Sequence, residues 1–147
     1  MAKILDEGIQ KQVKEIFEGL EHEVEVLLFT RKEDCEYCDD TRQLLEEVTE
    51  LSNKLSLVVY DFDDDAELAK QYGVDKIPGF VMVAKEGDDR IDYGIRFSGI
   101  PAGHEFTSLV NDLLLVSKRE SGLSPQAKTF LAGLKEPVHL MVFVTPT

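Results

Sequence analysis

Cysteine is scarce in this chain: among 147 residues there are two, Cys35 and Cys38. Two cysteines cannot build a disulfide scaffold, and in a reducing compartment a lone pair this close together is expected to be catalytic rather than structural. A long apolar run is also missing. No stretch of eighteen apolar residues occurs, which excludes a membrane-spanning helix of ordinary length. The opening Met1-Ala2-Lys3-Ile4 leads into charged sequence rather than the apolar segment of a signal peptide, so the expected location is cytoplasmic. Clustered basic residues are absent as well. With 16 Lys and Arg against 29 Asp and Glu, the net charge is −13, and a nucleic acid partner is disfavoured because phosphate binding needs clustered cations. The hydrophobic share of 43% is enough for one well-packed domain.

Cys35 and Cys38 stand in the run Phe29-Thr30-Arg31-Lys32-Glu33-Asp34-Cys35-Glu36-Tyr37-Cys38. An apolar, strand-like segment (24–29) precedes them and a helix-like segment (39–51) follows, so both sulfurs are expected at a helix N-terminus. Unpaired N–H groups and the helix dipole stabilise negative charge there, which favours thiolate on the first cysteine. Cys35 is therefore the expected nucleophile and Cys38 the resolving thiol, three residues on and able to close a small disulfide. A zinc site would need further ligands, but His22, His104 and His139 show no zinc-type spacing.

Around this motif the pattern reads as an α/β unit. Ile9, Val13, Ile16, Phe17 and Leu20 recur at helical spacing. Strands are expected over 23–30 and 56–62, with the CxxC helix between them as a parallel crossover. Asp65 is positioned to cap a helix over 66–72 that stops at Gly73. Two strands, 80–84 and 90–97, are joined by a hairpin-type loop over 85–89. A helix over 102–119 buries Phe106, Leu109, Val110, Leu113 and Leu114. The sum is a sandwich with a central four-stranded mixed sheet and helices on both faces, complete by about residue 120. Beyond it, Ser124-Pro125 marks the start of a short helix to Leu134, and Val138 to Val144 reads as a buried strand.

The CEYC motif, the segment Tyr72-Gly73-Val74-Asp75-Lys76-Ile77-Pro78-Gly79-Phe80 and the run Phe97-Ser98-Gly99-Ile100-Pro101-Ala102-Gly103-His104-Glu105-Phe106 resemble the thioredoxin superfamily. More narrowly, the chain is similar to the N-terminal unit of the two-unit, glutaredoxin-like protein disulfide oxidoreductases of thermophilic archaea and bacteria. The resemblance implies a thioredoxin-like three-layer sandwich over 1–120. It implies that 121–147 is a linker, a short helix and the first strand of an incomplete second thioredoxin-like unit. It also implies a cis Ile77-Pro78 bond beside the sulfurs, with the Ile77 backbone free to pair with an extended substrate. Glu36 and Tyr37, between the cysteines, and Ile77 and Pro78 are the expected substrate contacts. One departure stands out: where thioredoxins carry a buried carboxylate on the strand leading to CxxC, this chain has Phe29, which cannot relay a proton.

The expected function is dithiol–disulfide exchange on protein disulfides; the resemblance implies recharging by a flavoprotein of thioredoxin reductase type. The chain itself has no dinucleotide or flavin motif. Asp34, Glu36, Asp39 and Asp40 crowd the motif, and a carboxylate about 7 Å away at an effective dielectric of about 40 costs a thiolate about 1 kcal/mol. Arg31 and Lys32 are expected to offset part of this. The balance favours a reductase over an oxidant. The competing expectation is a redox-idle substrate-binding or scaffold unit. The apolar tail strand is expected either to dock on its own domain or to form a dimer with a second copy.

Overall fold

The computed structural model describes residues 2–145. Its organising element is β1 (Val24–Thr30), where every residue from Val24 to Phe29 is buried. A strand apolar on both faces belongs in the middle of a sheet, and β1 lies between β2 (Leu55–Asp61) and β3 (Gly79–Glu86), with β4 (Asp89–Ser98) at the far edge. The order is β2-β1-β3-β4; β1 and β2 are parallel, and the other two pairings are antiparallel. This is the expected four-stranded mixed sheet. The strands of the hairpin run longer than the sequence pattern indicates, because Gly87, at φ +62°, permits a turn tight enough for Glu86 to pair with Asp89.

The two faces carry separate cores. On one, Val24, Val26 and Leu28 pack with Phe80 and Met82 beneath α1 (Glu7–Phe17), α2 (Cys38–Thr49) and α4 (His104–Lys118). On the other, Leu27, Phe29, Val81 and Val83 are covered by the short α3 (Ala66–Gln71) through Ala69 and Leu68, with Tyr72 and Val74 behind it. Helix α1 starts at Asp6, whose side chain accepts from Ile9 N, and buries Val13 and Phe17. Ile9 and Ile16, expected on the same face, are 37% and 45% exposed. The contact stripe follows Val13, Phe17 and Leu20, and Ile16 lies off it. Asp65 precedes α3 but does not cap it. Its Oδ2 accepts from Asp61 N at 3.0 Å instead, tightening the loop after β2.

Buried Ser117 of α4 ties this helix to the entry of β1: its Oγ accepts from Glu21 N (2.8 Å) and His22 N (3.0 Å) and donates to His22 O (2.7 Å). After α4, the Ser124-Pro125 start of α5 (Pro125–Ala132) is as expected, with Ser124 Oγ accepting from Ala127 N at 3.1 Å. The strand expected over Val138 to Val144 is not formed. That segment has no regular secondary structure, and Leu140 and Phe143 are 84% and 86% exposed. It does not dock on its own domain. A strand exists only through a neighbour that takes its N–H and C=O groups, and no described residue pairs with it.

Candidate active site

The end of β1 delivers the chain into a loop (31–37) that closes on α2. The helix begins at Cys38, one residue earlier than the pattern suggests; Tyr37 occupies the capping position and supplies no side-chain cap. Cys38 N donates to Cys35 O at 3.4 Å, and Thr41 N donates to Tyr37 O at 3.0 Å. Cys35 and Cys38 are joined as a disulfide, with Cα atoms 5.5 Å apart. The two sulfurs differ in access. Cys38 is 2% exposed and faces the core, whereas Cys35 is partly open to solvent. Of the pair, only Cys35 can be reached by a bulky disulfide.

The antiparallel register opposes Phe29 with Gly79, so Pro78, the residue before that pair, enters β3 at the end of β1 from which the CxxC loop departs. The Ile77-Pro78 bond is cis, as the resemblance implies. Pro78 is buried, and its carbonyl accepts from Gly99 N at 2.8 Å. Among the described residues, no hydrogen bond engages the backbone of Ile77. An extended segment laid against Ile77 would find a free N–H and C=O. Glu36 and Tyr37 are exposed beside the disulfide, Tyr37 by half its surface.

Gly79 is a residue the sequence reasoning missed. A side chain there would drive into the Lys76 carbonyl and Val74, so this turn cannot pack as it does with any larger residue. The Pro-Gly dipeptide was the available signal.

Electrostatics around the site differ from expectation in one respect. Arg31 does not face the cysteines: its Nε and Nη2 donate to Asp63 Oδ2 (2.6 Å) and Oδ1 (2.7 Å). Its Cζ stands 5.6 Å from the centre of the Phe62 ring. The hydrogen bond to Asp63 raises the Arg31 pKa, and the same bond holds the Asp63 carboxyl below its usual range. Fork-shaped guanidinium finds a carboxylate across a loop more readily than a sulfur on its own loop. Phe29 is fully buried and stacks on Tyr60, with ring centres 5.3 Å apart, so no carboxylate occupies that position.

The buried carboxylate of the described chain is elsewhere. Glu25, at the other end of β1, is 3% exposed and ion-paired with Arg90 and with Lys85 (3.4 Å). Arg90 also donates to Tyr60 Oη at 3.1 Å, which makes Tyr60 a packed structural aromatic. His104 is an exposed residue at the start of α4. Among the described residues no three His, Cys, Asp or Glu side chains are grouped to hold a metal ion, and no helix is long and apolar enough to cross a membrane.

Comparison with known proteins agrees with this geometry. No family model matches the sequence. The crystal structure of a protein disulfide oxidoreductase from Aeropyrum pernix superposes with a TM-score of 0.76 at 30% identity, over 90% of this chain and 57% of that one. The N-terminal domain of alkyl hydroperoxide reductase AhpF from Enterococcus faecalis gives 0.75 at 30% identity, over 85% and 58%. The alkyl hydroperoxide reductase AhpF of Staphylococcus epidermidis is 28% identical over 144 residues, which are 98% of this chain and 25% of that protein. The chain thus spans about a quarter of the length of such relatives. The chain has a thioredoxin-like fold that carries the Cys35–Cys38 disulfide at the head of α2, and it is similar over nearly its whole length to disulfide oxidoreductase and AhpF N-terminal domains.

Proposed function

We propose that this domain exchanges electrons with protein disulfides through Cys35 and Cys38, working as a reductase. The observation that carries this is the asymmetry of the pair: a reachable Cys35 at the head of α2, a buried Cys38 bonded to it, and an unengaged Ile77 backbone alongside. In the reduced form, Cys35 thiolate attacks a substrate disulfide, forming a mixed disulfide and releasing one substrate thiolate. Cys38 then gives up its proton and attacks Cys35 sulfur, expelling the second substrate thiolate and regenerating the Cys35–Cys38 disulfide. Two electrons pass to the substrate, and its two sulfurs are protonated.

Ile77, Pro78, Glu36 and Tyr37 form the substrate-binding edge in this reading. A flavoprotein of thioredoxin reductase type returns the two electrons, in the cytoplasm. The reducing direction is supported by the exposed acids Glu33, Asp34, Glu36, Asp39 and Asp40, which disfavour the thiolate and with it the reduced form. Residues 121–147 belong in this reading to the start of a second thioredoxin-like unit, which takes up the exposed apolar surface of α5 and the segment after it. A second copy of the chain is the alternative occupant of that surface.

The test is trapping. With Cys38→Ser, a reduced chain incubated with a disulfide-bonded substrate protein is expected to accumulate a mixed disulfide at Cys35, seen as a mass adduct. Cys35→Ser is expected to trap none. If neither variant traps substrate while both still bind it, the domain is a redox-idle recognition unit.

A further inference from the structure

Arg31 and Lys32 are the cations nearest to Cys35 in the chain, and the structure commits Arg31 elsewhere. Arg31 follows the last residue of β1, and its guanidinium spans to the loop after β2, where both its bonds end on Asp63. The loops are also tied through their backbones, since Phe62 N donates to Thr30 O at 2.8 Å. Two parallel N–H···O bonds to a carboxylate fix geometry as well as charge. Both partners are partly exposed, 34% for Arg31 and 58% for Asp63, so the pair can open without disturbing the core.

The charges around this pair are mostly negative. The CxxC loop carries Lys32, Glu33, Asp34 and Glu36, and α2 opens with Asp39 and Asp40. In the loop after β2, Asp61 accepts from Asp63 N and Asp64 N, and Asp65 turns back to Asp61 N. In the segment before cis Pro78, Lys76 is paired with Asp75 at 3.2 Å. Asp34, directly before Cys35, also lies within electrostatic reach of Arg31. While Arg31 and Asp63 cancel each other, the acids around Cys35 are opposed mainly by Lys32.

We propose that Asp63 sequesters Arg31 in a neutral pair at the start of the loop that leads to the dithiol, making Arg31 a tuning residue whose positive charge acts on the Cys35 thiolate uncancelled only when that pair opens. This rests on Cys35 being the nucleophile. Opening the pair, by a partner's carboxylate-binding group or by substitution, would raise the reactive fraction of Cys35 without touching either cysteine. Arg31 acts here through the field at sulfur and takes no part in bond making.

The experiment is a thiolate titration of the reduced full chain by ultraviolet absorbance, comparing wild type with Asp63→Asn, Arg31→Met and the double variant. Asp63→Asn is expected to raise the thiolate fraction at a pH below the wild-type midpoint by about three- to tenfold, and Arg31→Met to lower it by a similar factor. The double variant is expected within about twofold of wild type, since it removes a pair of zero net charge. Single variants that leave the fraction within about twofold of wild type, or that move it in the same direction, overturn the proposal. Cys38→Ser, titrated alongside, separates the two levels. A Cys35 that titrates normally but ignores Asp63→Asn overturns this inference alone, whereas a Cys35 with no thiolate of its own there overturns the nucleophile reading too.

Discussion

Removing Arg90 should expose how much of the thinly covered sheet face depends on one buried charge. Glu25 is 3% exposed, and Arg90 and Lys85 are its cationic partners. Breaking a buried pair from one side typically costs about 3–5 kcal/mol, because a charge is left desolvated and uncompensated. Here Lys85 remains 3.4 Å from Glu25, and the side chains of Arg90 and Lys85 are 28% and 35% exposed. The expected cost of Arg90→Met is therefore lower, about 2–3 kcal/mol. Burial opposes the charge on Arg90, but hydrogen bonds with Tyr60 and Glu25 outweigh it and raise its pKa, so Arg90 is charged throughout the accessible pH range. Glu25→Leu together with Arg90→Met should restore most of the loss, since apolar replacement of a buried pair is often neutral. Urea unfolding checks this: the midpoint of the single variant falls with its slope unchanged, and the double variant recovers. A single variant within about 0.5 kcal/mol of wild type, or a double variant worse than either single one, would refute the reasoning.

Two further expectations concern the scaffold. Ser117→Ala strips an acceptor from Glu21 N and His22 N and a donor from His22 O; it should cost about 1–3 kcal/mol and lower Tm by about 2–4 °C per kcal/mol lost, with the thiol count unchanged. Calorimetry that finds Tm unmoved would contradict it. Glu47 anchors the N-terminal segment by accepting from Ile4 N and Leu5 N, each at 2.9 Å. Burial pushes its carboxyl up, but the bonds from Leu5, Gln43 and Ile4 outweigh it, so its folded pKa is lowered. A lowered folded pKa contributes stability above the unfolded value of about 4.3, lost as pH falls through the folded one. Glu47→Gln should therefore lose stability at neutral pH and show a flatter decline below about pH 4 than wild type; parallel pH profiles would count against this.

The sheet and the dithiol were legible because their signals are local. The apolar run Val24 to Phe29, the cysteines three residues apart and the Ser124-Pro125 start each carry their meaning within a few residues. What escaped depends on partners distant in the chain. Glu25 carries no local signal of its own in an apolar strand, and Arg90 and Lys85, arriving from the hairpin, allow it to be buried. Arg31 looked free to face Cys35, because nothing local distinguishes Asp63 from Asp64 and Asp65 as its partner. Asp65 read as a cap and instead closes its own loop. The run from Val138 to Val144 has strand composition, yet pairing is a property of two segments and the described chain supplies only one. The cis bond at Pro78 followed from resemblance, whereas the need for glycine at position 79 emerges only from the closeness of the Lys76 carbonyl.

The central claim is that Cys35 and Cys38 form a working redox couple. The most direct measurement equilibrates the full chain in graded dithiol–disulfide buffers, alkylates free thiols and counts them by mass. The account predicts a single two-electron transition near the cytosolic poise, roughly −220 to −320 mV. A pair that forms no disulfide, or that stays oxidised well below that range, would contradict it.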